Sequence, residues 1–399
     1  MAVLVKGYSF AVLVVLSVYG LIYLFSGDFE LGAVNHYNPF SRQAESWLNG
    51  RLDLPENVTH LEIAEFGGRY FVSFPPFPTF VVLPFVAVLG TDTPDHAIAL
   101  VVSLLALLYA YKLALRILEN SRHAVFMSLF LVIGTNYLHI ALWGAVWYLA
   151  QNIAFLLTLM AFYYGLTDNR KHSVLALFFM CAAMGTRPFN AVYLPILLYL
   201  IYIRESKEET EIVQLVRRAF IYAIPAILLG VFFMWLNYMR FGSIFEFGHN
   251  YLEEFLMDEH GQFYVGRILG NLRIMFLGFN LTDFPLFHGF AFWIASPIFL
   301  TFAVYFVMWV KNWQYEGNEW IFALPIFIAI HIIAFSMHTS LGGHQFGSRY
   351  TVDILPIAYL GVLFMAKSIR PNLYLNTAPM VFGLLLNFIG TIEFLRFYF

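Results

Sequence analysis

Long apolar runs separated by short polar connections dominate this chain. A helix needs roughly 20 apolar residues to cross about 30 Å of hydrocarbon. On that rule spans are predicted near 7–26, 96–116, 123–141, 150–167, 173–186, 189–203, 219–239, 289–310, 320–337, 351–367 and 374–397, about eleven in all. The runs 173–186 and 189–203 are short, and the turn Gly185-Thr186-Arg187-Pro188 parts them. They read either as a hairpin of short spans or as a broken pair. Segment 79–90 is too short to cross, holds Pro84, and follows Pro75 and Pro76. It predicts a helix lying at the outer interface. The fold class expected is therefore an all-α integral membrane protein, one polytopic domain over 1–399 with no soluble domain attached.

The polar stretches are unequal. A first outer loop, 27–95, and a second, 240–288, carry most of the acids and histidines, and a shorter one runs from His338 to Tyr350. Within the second, Tyr251–Met257 and Val265–Phe279 have the pattern of surface-lying amphipathic helices. Charge asymmetry orients the whole. With the N-terminus inside, Lys6, Lys112, Lys171, Lys207, Lys311 and Lys367 all fall in or beside cytoplasmic ends, as do Arg217 and Arg218. If 79–90 crossed the bilayer, every later loop would change sides and this bias would be lost. The first apolar run, Tyr8–Phe25, exceeds a signal-peptide core and lacks a following A-x-A site, so it reads as a retained anchor. The segment 204–218 reads as a solvated helix or linker.

Composition narrows the function. Hydrophobic residues make up 60% and charged residues 12%, against about a quarter charged in soluble domains. A net charge of -3 gives no reason to expect nucleic acid. Cys181 is the only cysteine, so no disulfide forms within the chain. No Walker A, dinucleotide-binding, H-E-x-x-H or C-x-x-C pattern occurs, which speaks against a nucleotide-driven pump and a zinc protease.

The candidate chemistry faces outward. Acids in the first loop cannot face lipid, and one beside an arginine stays ionised, able to take a proton from a hydroxyl or to hold a divalent cation. Arg69, Arg187 and Arg349 stand at junctions of loop and span, where a guanidinium can bind a lipid phosphate in bidentate fashion. Arg349 and Asp353 are four apart and can pair on one helix face. The run Gly342-Gly343-His344-Gln345-Phe346-Gly347 permits close backbone approach, or is a flexible turn. His338 and His344 are a weak metal pair. Trp143 and Trp147 fit an interfacial belt better than a sugar platform. Asn57-Val58-Thr59 and Asn280-Leu281-Thr282 match the glycosylation sequon, a pattern too short to carry weight.

Three stretches resemble the GT-C glycosyltransferases, which include aminoarabinose transferases, protein O-mannosyl transferases and the RgtA/B/C/D-like group. Ala44-Glu-Ser-Trp-Leu-Asn-Gly-Arg-Leu52 is similar to that family's A-x-x-L-L-x-G-x-L helix. Gly68-Arg-Tyr-Phe-Val-Ser-Phe-Pro-Pro76, with Pro84, is similar to its G-x-Y-Y-x-x-x-P-P element. His344 to Pro356 is similar to the G-x-R-Y segment that opens a late span. The resemblance implies transfer of a sugar from a polyprenyl-phosphate donor to a glycan, lipid or protein acceptor on the outer face, with membrane lipids as surroundings and no obligatory metal. It implies donor contacts at Arg349, Arg187, Arg69, His344, Gln345 and Tyr70. The family's usual first-loop acid is absent, since its place reads Asn35-His36-Tyr37-Asn38-Pro39. The base then falls to Glu45 or His36, with Asp28 and Glu30 as further candidates, and Glu62 stands where related chains often carry an acid. Two other readings stand beside this one. One is a transporter or flippase for a lipid-linked substrate, against which His331 is the only clear ionisable group deep in a span. The other is a GT-C-like lipid-binding protein without catalysis.

Overall fold

The structure, a computed structural model, describes residues 2–27, 30–207, 211–278, 289–312, 318–371 and 374–398. Asp28 and the sequon at Asn280 lie outside the described residues. The protein is an all-α membrane protein apart from one short hairpin. Seven helices are long and apolar enough to cross a membrane: Val5–Ser26, Asp95–Leu118, Val146–Gly165, Ile212–Phe241, Glu319–Ser336, Arg349–Ile369 and Leu375–Phe397. Four shorter apolar helices are Phe77–Asp92, Ser121–Ile133, His172–Met184 and Ile298–Lys311. Seven of the runs predicted as spans hold these long helices, whereas 123–141, 173–186, 189–203 and 289–310 hold shorter or broken ones. The α-helical part of the Pro84 segment, Phe77–Leu89, has 13 residues. At 1.5 Å per residue it is about 20 Å long, short of the ~30 Å hydrocarbon core.

The chain forms two compact units, one of Met1–Glu30, Ser103–Leu142 and Val265–Phe399, the other of Leu31–Val102 and Trp143–Tyr264. In the first unit the N-terminal helix packs on Ser121–Ile133 and on the last helix, while Ile298–Lys311 packs on Leu355–Ile369. The latter is buried along most of its length. Gly361 permits this, because a Cβ there would come within 2.6 Å of Phe302 and 2.7 Å of Leu324. The predicted run 123–141 is not one rod: it breaks after Ile133 and resumes at Tyr137.

In the second unit Pro39–Leu48 packs on Phe77–Leu89, and Val146–Gly165 packs on His172–Met184, which packs on Ile212–Phe241. The stretch read as the G-x-Y element is a hairpin, Ile63–Phe66 against Arg69–Val72, with Phe66 opposite Arg69. Gly67 and Gly68 form its two-residue turn at φ +58 and +69°, the conformation a primed turn demands and glycine adopts without strain. Ala64 and Phe71 pack with Phe241 beneath the hairpin, and the buried Arg240 donates to the Val72 carbonyl at 3.3 Å. Trp143 departs from the predicted interfacial belt. It is 5% exposed and packs against Tyr148 at 4.6 Å between ring centres.

In three places a 3₁₀ turn leads into a helix through Leu-Pro: Pro188–Tyr193 before Leu194, Glu319–Ala323 before Leu324 and Arg349–Ile354 before Leu355. Proline suits the first helical turn, where its missing N–H has no intrahelical acceptor.

Candidate functional site

The break at 134–136 in the first unit positions a loop. Asn136 is fully buried, and all of its polar groups are used. Its N–H donates to Ser296 Oγ at 3.0 Å, its side-chain amide donates to the Phe346 carbonyl at 3.0 Å, and its Oδ1 accepts from the Ser348 N–H at 2.9 Å. Gly347 lies directly against it at φ +78°, where a Cβ would overlap Asn136 Oδ1. The Gly347 carbonyl in turn accepts the Phe290 N–H at 3.0 Å.

This pinned loop fixes Arg349. Gln345, fully buried, donates to the carbonyls of Leu341 at 2.8 Å and Gly343 at 3.2 Å, and its Oε1 accepts the Arg349 N–H. Arg349 Nε donates to the Gly342 carbonyl at 2.7 Å, and the guanidinium lies 4.8 Å from the centre of the Tyr350 ring. Gly342, at φ +118°, leaves the room: a Cβ there would meet Arg349 Nε at 2.7 Å. The side chain is 6% exposed. A planar guanidinium held by Nε keeps its remaining donors in a set direction, which suits bidentate reading of a phosphate. Gln345, predicted at the substrate, is inside the loop as a clamp on the Arg349 backbone, whereas His344 is exposed.

The second unit holds the first-loop groups. Asn35 Oδ1 accepts the Tyr37 N–H at 2.7 Å, an Asx turn, and the Asn35 side chain contacts His96 Nε2 at 3.2 Å. Asp95, 1% exposed at the start of its helix, accepts the Asn35 N–H at 3.4 Å and the Ser41 hydroxyl at 3.2 Å. A carboxylate at a helix N-terminus is also favoured by the helix dipole. The Gly144 N–H donates to His96 Nδ1 at 3.0 Å. A Cβ on Gly144 would overlap the Asp95 backbone. Asp95 and His96 thus anchor the turn that carries His36 and Tyr37. Neither was singled out in the sequence, where Asp95 ends the first outer loop and His96 opens the next predicted span.

Around that turn lies a group of rings with one acid. Trp147 Nε1 donates to Glu62 Oε1 at 2.9 Å, and the Trp147 ring is 5.2 Å from Tyr37. His36 and His60 stack at 3.8 Å, with His60 Nε2 3.1 Å from the His36 carbonyl. The Val146 N–H donates to the Tyr37 carbonyl at 3.0 Å. The structure therefore brings Glu62 and His36 into one cluster and gives Trp147 a specific donor role in it.

The other predicted residues lie apart from these contacts. Glu45 is exposed on the helix Pro39–Leu48, and Glu30 is exposed in the first unit. Arg69, exposed on the hairpin, sits 5.3 Å from the Phe71 ring centre. It also acts on Asp53: burial would raise that carboxyl, but the Arg51 hydrogen bond, the local backbone and the charges of Arg51 and Arg69 hold it below its ordinary value. Tyr70 is half-buried, with its carbonyl accepting the Leu54 N–H at 2.7 Å. Arg187 is half-buried where the 3₁₀ turn Pro188–Tyr193 begins. His338 bonds locally with Ser340. Among the described residues no three His, Cys, Asp or Glu side chains gather so as to hold a metal ion.

No protein-family model matches this chain, and no curated protein matches it by sequence. Solved structures do match. ArnT from Cupriavidus metallidurans in the apo state aligns with a TM-score of 0.52 at 16% identity, over 90% of this chain and 60% of that one. The same protein bound to undecaprenyl phosphate aligns with a TM-score of 0.52 at 14% identity, with the same coverage. The chain thus shares its membrane fold with these structures and spans about 60% of their length.

Proposed function

We propose that this protein transfers a sugar from a polyprenyl-phosphate donor to an acceptor hydroxyl on the outer face of the membrane, with its N-terminus in the cytoplasm. The observation that carries the reading is the preset guanidinium of Arg349, clamped by Gly342, Gln345 and Tyr350. It sits in a chain whose fold is shared with an ArnT structure bound to undecaprenyl phosphate. Arg349 is the group assigned to the donor phosphate. Glu62 is assigned as proton acceptor ahead of Glu45 and His36, because the Trp147 N–H orients its carboxylate.

In the reaction the acceptor hydroxyl attacks C1 of the sugar and gives up its proton to a carboxylate base. The C1–O bond to phosphate breaks with its electron pair going to the phosphate oxygen, and the configuration at C1 inverts. Arg349 stabilises the charge that develops on the departing lipid phosphate. His36, stacked on His60, is the second candidate base.

The test uses membranes holding the full chain and a radiolabelled polyprenyl-phosphate sugar. Glu62→Gln is expected to abolish transfer and retain donor binding, and Arg349→Ala to weaken binding and transfer together. Full transfer by both variants rejects the residue assignments. Donor binding with no transfer by the unaltered protein, across glycan, lipid and protein acceptors, would favour the non-catalytic lipid-binding reading.

A further inference from the structure

A second polar site lies at the far end of the helix that Arg349 precedes. Arg349 stands before Leu355–Ile369 and Arg370 directly after it. The six-residue 3₁₀ turn at about 2.0 Å per residue and fifteen α-helical residues at about 1.5 Å each separate the two by roughly 30 Å. Around Arg370 is a cavity of about 440 Å³, within the range of small-ligand sites.

The polar side chains lining it are mostly hydrogen-bond donors. Lys367, Arg370, His123, Asn120 and Asn376 contribute, and the only carboxylate among the described residues lining it, Glu119, is already bound to Lys367 at 2.8 Å. The Arg370 guanidinium and the His123 ring make no hydrogen bond or ion pair with any described residue. Asn376 is 5% exposed, and its Oδ1 accepts the Tyr305 hydroxyl at 2.8 Å, which leaves its N–H groups for the cavity. The first turn of Ser121–Ile133 adds to this. Asn120 caps only the His123 N–H, so the amides of Ser121 and Arg122 have no intrahelical acceptor. The floor is apolar, from Leu118, Phe126, Met127 and Ala366.

The backbone supplies an independent observation. Among the described residues only Glu119 and Arg370 are non-glycine residues at positive φ, +56 and +47°. Both line this cavity. A left-handed conformation costs a non-glycine residue about 1–2 kcal/mol, and glycine would end either helix without that cost. Such outliers gather where a ligand or function needs the side chain.

We propose that this cavity binds a phosphate ester, presented by an anionic phospholipid headgroup or by a free polyol phosphate. Excess donors, net positive charge and a helix N-terminus match a phosphate, and the apolar floor matches the carbon attached to it. Charge asymmetry assigns this end to the cytoplasmic leaflet, where basic pockets between membrane helices take anionic headgroups. Bound there, the ligand would tie the connection at 119–120 to the connection at 370–371.

The test titrates the purified full chain, in uncharged detergent, with dihexanoyl phosphatidylglycerol, glycerol 3-phosphate and dihexanoyl phosphatidylcholine. The phosphatidylglycerol is expected to bind at least about tenfold more tightly than the phosphatidylcholine, whose ammonium meets Lys367 and Arg370. Arg370→Gly should weaken it by about tenfold or more without lowering the unfolding temperature, because glycine accepts the φ of that position. His123→Gln should weaken it as well and guards against a folding defect in the first variant. Glycerol 3-phosphate binding as tightly as the amphiphile assigns the site to a free phosphate, and binding of the amphiphile alone assigns it to a lipid. Equal affinity for both phospholipids, or unchanged affinity in both variants, overturns the proposal. Loss of binding in Arg349→Ala overturns it too, since the anion would then sit at the donor site.

Discussion

Replacing Gly347 by alanine tests how the Arg349 loop is held. Two costs add at this position. The residue sits at φ +78°, where a Cβ costs about 1–2 kcal/mol. That Cβ would also overlap Asn136 Oδ1, so Asn136 must move and release Phe346 and Ser348. Two hydrogen bonds at about 0.5–1.5 kcal/mol each bring the total to roughly 2–5 kcal/mol. Gly343 is the internal control. Its φ is nearly the same, +71°, but nothing lies within 4 Å of the added Cβ. Gly343→Ala should therefore cost only the ~1–2 kcal/mol of strain. The assay is thermal unfolding of the purified chain, paired with titration of polyprenyl phosphate. Gly347→Ala should lower the unfolding temperature more than Gly343→Ala and weaken phosphate binding, because Arg349 begins two residues later. Combining Gly347→Ala with Asn136→Ala removes the colliding group. The double variant should then lose less than the sum of the singles, by on the order of 1 kcal/mol. Equal losses in the two glycine variants, or strict additivity with Asn136→Ala, would refute the clamp.

The second unit gives further expectations. Trp147→Phe keeps a ring beside Tyr37 but removes the N–H donor to Glu62, so transfer should fall about tenfold with little change in unfolding temperature. Glu45→Gln, at an exposed carboxylate on the helix Pro39–Leu48, should transfer sugar as the unaltered chain does. Asp95→Asn replaces the acceptor of the Asn35 N–H and the Ser41 hydroxyl, and should cost about 1–3 kcal/mol in thermal unfolding while slowing transfer through a loosened first-loop turn. Gly144→Ala drives a Cβ into the Asp95 backbone and should cost about 1–3 kcal/mol or more by the same measurement.

The helices were legible because hydrocarbon imposes a one-dimensional demand: long apolar runs must close their own backbone hydrogen bonds. Local chemistry was legible only where a short pattern carried it. The hairpin turn at Gly67-Gly68 has such a pattern, but the resemblance of Gly68–Pro76 to a family element drew the reading away from strand pairing. Trp143 looked interfacial because tryptophan usually is, and only packing on Tyr148 places it inside. Glu62 was visible as a candidate, whereas the donor that orients it lies 85 positions along the chain.

Asn136 and Asp95 show why the rest stayed hidden, and also what could have found them. Each is a polar group at or inside an apolar run, and hydropathy averages it away. Yet a buried amide or carboxylate without partners costs several kcal/mol, so its presence there already requires donors or acceptors from elsewhere. For Asn136 they come from Ser296, Phe346 and Ser348, up to 212 positions away. For Asp95 they come from Asn35 and Ser41, 60 and 54 positions away. The sequence marks such residues as points of tertiary attachment without naming the partner. In this chain the two attachments end on the Arg349 loop and on the turn bearing His36 and Tyr37, the elements to which the proposed chemistry is assigned. A polar residue interrupting an apolar run is thus a pointer to whatever loop it fastens, and in a membrane protein with few charges that pointer carries more positional information than the loop's own sequence does.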